Sequence, residues 1–199
     1  MPRLILASSS PRRRELLSAA GYTFDVVPPG ASAECGVCSK ETPPEMVARL
    51  AHQKAADVAR RVTMSEDGSP AIVIGCDTVA ECAGLILGKP VDIDHARTML
   101  QLLRGREHHV YSGLCLWTLP TGEVHVNVER TTLRMDALAD ALLEDYLASG
   151  LWEGKAGAFG YQDRVGWLQI VEGSETNVVG LPMERLETML DKLRFPAEN

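Results

Sequence analysis

Three arginines follow a serine-rich turn near the start of the chain, in the run Leu6-Ala7-Ser8-Ser9-Ser10-Pro11-Arg12-Arg13-Arg14. Ser10 before Pro11 reads as a helix start, with serine as cap and proline at the first helical position. The arginines then fall in the first turn, where the backbone dipole is partly positive and a cation forgoes roughly 0.3 to 1 kcal/mol that an acid would contribute. Local stability does not explain this choice, but a bound polyphosphate does. The free N–H groups of the helix start, the Ser8 and Ser10 hydroxyls and the guanidinium forks of Arg12 and Arg13 can converge on one anion. The spacing is not that of a Walker loop, and arginines that splay into solvent or pair with acids are the competing account.

Lys54 is a second misplaced cation. The capping box Thr42-Pro43-Pro44-Glu45 opens a helix that carries Val47, Leu50, Ala51 and Val58 along one stripe. Lys54 takes the stripe position seven residues after Val47, so its ammonium is expected to face inward unless the side chain snorkels to water. Asp77 follows the apolar run Ala71-Ile72-Val73-Ile74-Gly75-Cys76, and open α/β sheets place ligands beyond strand ends of this kind. A carboxylate there can hold a divalent metal or orient a water; alternatively Asp77 and Thr78 bond to nearby turn backbone. Gly88-Lys89-Pro90 adds a lysine beside a glycine that lets backbone approach a ligand. Gly154-Lys155-Ala156-Gly157-Ala158-Phe159-Gly160-Tyr161-Gln162 combines glycines, a lysine and an amide in a loop able to approach phosphate or base. A flexible surface turn is its alternative, although such a turn has no use for large aromatics between glycines.

The elements that must position these residues alternate strand and helix and then add hairpins, which predicts an α/β fold with a mixed sheet and flanking helices. A strand is expected over 4–7, a helix from Pro11 to a stop at Gly21, and a strand over 71–76. Hairpins are expected over 78–87, turning at Ala83-Gly84, and over 109–134, turning at Pro120-Thr121-Gly122. Helices are expected over 94–103, 137–148 and 182–193, with a strand over 165–171. Residues 172–182 read as polar turns for which capping is a sufficient explanation.

The 199 residues, 45% apolar, suit a single domain. A net charge of −7 argues against a general grip on nucleic acid or an anionic membrane, so an anionic ligand must be held by a local cluster of cations. No apolar run approaches the roughly 20 residues of a membrane span, and no signal peptide opens the chain, which predicts a cytoplasmic location. Cys35, Cys38, Cys76, Cys82 and Cys115 form an odd set best read as reduced thiols. Cys35 and Cys38 have the spacing of a zinc knuckle or redox pair, yet no second ligand pair follows.

Taken in order, Ala7-Ser8-Ser9-Ser10-Pro11-Arg12-Arg13, Lys54-Ala55, Asp77-Thr78, Gly88-Lys89-Pro90, Lys155-Ala156-Gly157 and Gly180-Leu181-Pro182 resemble the Maf family, also called septum formation inhibitor proteins, over nearly the whole chain. The resemblance implies an elongated fold over 1–199, with two lobes around a central cleft, related to the inosine triphosphate pyrophosphatases. It implies hydrolysis of a nucleoside triphosphate to monophosphate and pyrophosphate with a divalent cation, Mg²⁺ or Mn²⁺, and a homodimer. Carried over residue by residue, it implies phosphate binding at Ser8, Arg12, Arg13, Lys54, Lys89 and Lys155, a catalytic acid at Asp77 and a substrate contact at Gln162. Glu34 would join Asp77 as a metal or water ligand, although Ala33 stands where the family usually has another acid; Tyr161 likewise replaces a common aliphatic residue. Arg12 after Pro11, Thr78 after Asp77 and Lys155 before Ala156-Gly157 side with the subgroup associated with dTTP and UTP. The subgroup associated with 7-methyl-GTP, and a nucleotide-binding regulator of division without turnover, are the alternatives.

Overall fold

The computed structural model describes residues 2–34, 41–63, 70–163 and 166–194. Strand β1 (Arg3–Ala7) buries everything after its first residue. It leads through the serine turn into α1 (Pro11–Ala19), with Ser10 as an extended N-cap and Pro11 in the first turn. The Ser10 hydroxyl does not cap the helix, so it is not committed to the backbone of its own helix. Strand β2 (Phe24–Val26) and a 3-10 turn (Ala31–Glu34) follow. In α2 (Pro43–Thr63) the Glu45 side of the expected capping box forms: the Thr42 N–H and hydroxyl both donate to Glu45 Oε2, at 2.9 and 2.7 Å. Next come β3 (Ala71–Cys82), β4 (Leu85–Leu87), α3 (Ile93–Leu103), β5 (Glu107–Leu119), β6 (Val124–Met135) and α4 (Asp140–Ala148). After two 3-10 turns (Ala156–Ala158 and Tyr161–Asp163), β7 (Leu168–Glu172), α5 (Glu175–Val179) and α6 (Met183–Arg194) complete the order.

The strands form one open, mixed, seven-stranded sheet in the order β2-β1-β3-β5-β6-β7, with β4 pairing with β3. β1 is parallel to β2 and β3, and the remaining pairs are antiparallel. Alternation along the strands separates two faces. One carries Ile5, Val73 and Cys115 against Ala51, Ala55 and Val58 of α2. The other carries two cores: Leu4, Ile74 and Leu114 against Leu17 and Leu186, and Ala80, Val110 and Leu133 against Leu100, Leu103, Leu143 and Leu147, with Phe159 of the late loop. Along β3 the first of these cores ends at Cys76 and the second begins at Ala80.

Two glycines bring α2 unusually close. A Cβ at Gly75 would lie 2.2 Å from the Ala51 carbonyl oxygen, and one at Gly113 would lie 2.0 Å from that of Val47. Any side chain at these neighbouring strand positions would lift the helix from the sheet. No described helix is long and apolar enough to cross a membrane.

The apolar run from Ala71 was expected to end before Asp77, but β3 continues to Cys82. The polar pair Asp77-Thr78 marks a point where both sheet faces meet polar partners within the strand. The strand that does end here is the neighbouring β1. It pairs with Ala71 to Gly75, whereas β4 takes Ala80 to Cys82 on the same edge, because β5 occupies the other edge from Ala71 to Glu81. Residues 76–79 thus face a window between the end of β1 and β4.

Candidate active site

The window opens into a cleft of about 350 Å³. Every described member of the sequence-predicted set lines it: Ser8, Ser10, Arg12 and Arg13 from the exit of β1, Lys54 from α2, and Asp77 and Thr78 from β3, together with Lys89 beyond β4 and Lys155 and Gln162 from the late loop. Glu34 ends the 3-10 turn Ala31–Glu34, and its side chain lies outside the described residues, as do Cys35 and Cys38 entirely.

Alternation sends Asp77 and Thr78 to opposite faces of β3. On the α2 face, the Lys54 ammonium donates to Asp77 Oδ1 at 2.6 Å, with the two side chains 9% and 15% exposed. The expected inward lysine is present, and its reach is set by the glycine notches that seat α2. On the opposite face, the Arg13 guanidinium lies buried. It donates to Gly180 O at 2.8 Å, to Ser8 Oγ at 3.2 Å and to Thr78 Oγ1 at 3.2 Å. Thr78 Oγ1 is also 2.8 Å from Ser112 Oγ, and Gly180 O additionally accepts from Cys76 Sγ at 3.2 Å. The Thr78 hydroxyl therefore orients Arg13 as well as lining the cleft.

Gly180 was not among the expected site residues. It ends α5, whose N-cap Ser174 accepts from the Asn177 N–H, and its φ of 126° is a conformation that favours glycine. A five-residue helix leaves too little periodicity to be read, and a carbonyl acceptor has no residue-type signal. Asp163 was also missed. It holds the Lys155 ammonium in a short ion pair and is 9% exposed.

The late loop is fastened on two further sides. Gly154 O accepts from Arg12 Nη2 at 3.0 Å. The Gly157 N–H donates to Gly88 O at 3.0 Å, beside Lys89. Gly157 itself has φ 71° and lies close against Ala80.

Five cations and one carboxylate line the cleft of a chain whose net charge is −7. Lys54 faces Asp77 and Lys155 faces Asp163, whereas among the described residues Arg12, Arg13 and Lys89 have no carboxylate in ion-pair contact. Burial first, and then the neighbouring charge of Arg13, lower the Arg12 guanidinium from its usual range, against opposing pulls from Asp163 and Glu15. A buried arginine held only by neutral oxygens, beside a second one whose charge is disfavoured, is an arrangement that an anion stabilises.

No group of three or more His, Cys, Asp or Glu side chains converges on one point among the described residues. Mg²⁺ ordinarily keeps several waters and is held through one or two carboxylates plus substrate phosphates. Asp77 in the cleft therefore fits a metal that arrives with a polyphosphate better than one held in a protein cage. Cys76, Cys82 and Cys115 are buried and free. Burial pushes the Cys115 thiol up to about 12 and raises that of Cys76, which rules neither into the chemistry.

The family described as Maf-like protein matches residues 3–193. The chain is 56% identical over 196 residues to a dTTP/UTP pyrophosphatase of Rhodopirellula baltica, covering 98% of this chain and 84% of that protein. It is 41% identical over 203 residues to a dTTP/UTP pyrophosphatase of Pelotomaculum thermopropionicum, covering 98% of each. A human protein named as a probable bifunctional dTTP/UTP pyrophosphatase/methyltransferase is 38% identical over 201 residues, covering 98% of this chain but 32% of that protein. The matched span takes in every element from β1 through α6 save the last residue of α6, and the whole cleft lining, and the chain belongs to the Maf family.

Proposed function

We propose that the protein hydrolyses pyrimidine nucleoside triphosphates, dTTP and UTP, to the monophosphate and pyrophosphate. The observation that carries this reading is Arg13: buried at a helix N-terminus, without a carboxylate partner, and flanked by Arg12 and Lys89 in an acidic chain. Relatives named for this activity across nearly the whole chain support the substrate class.

Arg12, Arg13 and Lys89 hold the phosphates, with Ser8 and Ser10 adding hydroxyl donors. Asp77 takes the proton from a water whose oxygen bonds to the α-phosphorus. The bond from that phosphorus to the bridging oxygen breaks, and the electron pair leaves with pyrophosphate, whose charge the cations offset. Lys54 fixes the rotamer of Asp77 through their 2.6 Å contact. Asp77, with Glu34, would hold Mg²⁺ or Mn²⁺, which supplies Lewis-acid polarisation of the phosphate when bound. No covalent nucleophile is required. The site of action is the cytoplasm and the assembly a homodimer, both testable by fractionation and sedimentation.

A pyrophosphate-release assay with dTTP, UTP, CTP and 7-methyl-GTP, in Mg²⁺ and in Mn²⁺, tests the reading. Highest kcat/KM with dTTP or UTP is expected. Preference for 7-methyl-GTP would refute the base assignment alone, and nucleotide binding without any turnover would refute the enzyme.

A further inference from the structure

Asp163 plays no part in the chemistry above, yet it is among the most enclosed acids near the cleft. Its Oδ2 accepts from the Lys155 ammonium and, at 3.3 Å, from the Tyr146 hydroxyl of α4. The Lys155 and Asp163 side chains are 10% and 9% exposed. A Cβ placed on Gly160 would lie 2.7 Å from both Lys155 Nζ and Asp163 Oδ2, so the ion pair rests directly on the Gly160 backbone. Lys155 and Asp163 thereby close the loop 155–163 upon itself.

Within that closed loop lie Phe159, Gly160 and Gln162, which line the cleft. Phe159 is held edge-on to buried His108 at 5.1 Å. Gln162 is exposed to the cleft, and the next residue is Asp163 itself, in the same 3-10 turn. Bare backbone and a carboxamide are groups that recognise the edge of a flat heterocycle by paired donor and acceptor, and Phe159, buried in the second core, backs them. The Lys155 charge, in contrast with those of Arg12, Arg13 and Lys89, already meets a buried carboxylate.

We infer that Lys155 and Asp163 form a clasp that determines base discrimination, holding the Gly160 backbone and Gln162 against the pyrimidine ring, with Asp163 a positioning residue acting through Lys155. This deepens the nucleotide-hydrolysis reading and rests on it. It moves Lys155 from the phosphate grip to the architecture of the base-facing wall.

Two variants test it. Asp163→Asn keeps the shape and the acceptor for Tyr146 while removing the charge. The double variant Lys155→Met/Asp163→Leu removes both charges, so no uncompensated buried ion is left to unfold the protein. For each, kcat/KM is measured with dTTP, UTP and CTP, together with the inhibition constant of inorganic tripolyphosphate, which has no base. The advantage of the preferred nucleotide over CTP is expected to fall about tenfold in both variants. Tripolyphosphate inhibition is expected to stay within about twofold of wild type. A wild-type protein that hydrolyses no nucleoside triphosphate refutes the parent reading and the clasp with it. Wild-type turnover with the base ratio unchanged in both variants refutes the clasp alone. So does a rise of about tenfold in the tripolyphosphate constant with the base ratio kept, because Lys155 is then a phosphate cation.

Discussion

Lys54 and Asp77 meet at 2.6 Å on the α2 face of the sheet, and Arg13 and Thr78 meet at 3.2 Å on the other. The proposed proton acceptor Asp77 and the residue that orients the buried phosphate cation, Thr78, therefore occupy consecutive positions of β3 yet face opposite layers. Asp77→Asn preserves the volume and an acceptor for Lys54 while removing the basic oxygen. Its turnover is expected to fall by about two orders of magnitude or more, the usual range for losing a general base, with nucleotide affinity nearly unchanged. A single-turnover assay alongside equilibrium nucleotide binding separates the two quantities, and an Asp77→Asn protein of full activity overturns the mechanism. The residues legible in the sequence are those that break a local rule: arginines at the positive end of a helix, and a lysine in an apolar stripe. Asp163 breaks none, since an acid in a glycine-rich loop reads as solvated until its burial is known. Gly180 acts through its carbonyl, which every residue possesses.

At the scale of elements, the site depends on how closely α2 approaches β3 and β5. Gly75 and Gly113 create that approach, and the atoms a new Cβ would strike are backbone oxygens rather than flexible side-chain ends. Gly113→Ala is expected to cost about 1 to 3 kcal/mol or more, because the whole helix must shift to relieve the overlap. The same shift draws Lys54 from Asp77, so kcat/KM should fall further than the loss of folded protein explains. Denaturant unfolding and kinetics on the same preparation give both numbers, and an unchanged melt would show that α2 is not seated by this contact. Helix starts, the long hairpins and the capping box at Thr42 were legible, because each has a period or a cap that sequence displays. The length of β3 was not. An aspartate after six apolar residues reads as a strand end, although here the strand continues beside a gap in its neighbour. β2 and α5, with three and five residues, are too short to carry a period at all.

At the scale of the whole molecule, the two cores on one sheet face leave the cleft between them, and the second core contains an ionisable group that ties stability to pH. His108 is fully buried, and neither ring nitrogen has a hydrogen-bond partner among the described residues. Burial is the largest influence and lowers its pKa to about 4. The nearby Arg106 backbone and Glu81 pull in the opposite direction, and His109 adds to the lowering. The folded state therefore keeps His108 neutral at a pH where the unfolded chain, with an ordinary histidine pKa near 6.5, is protonated. Because the unfolded state binds the extra proton, the contribution of His108 to stability is fully present above about pH 6.5. It is lost progressively as the pH falls toward about 4, amounting to roughly 3 kcal/mol across that window. His108→Phe removes the titration while keeping a ring against Phe159. Stability from denaturant unfolding, followed between pH 7 and pH 4, is expected to decline less steeply in His108→Phe than in wild type. Parallel pH profiles for the two proteins would show that the acid sensitivity arises elsewhere, in carboxylates such as Glu184, whose burial opposes ionisation but whose pKa is lowered on balance by its own backbone N–H and by the hydroxyls of Thr176 and Ser174.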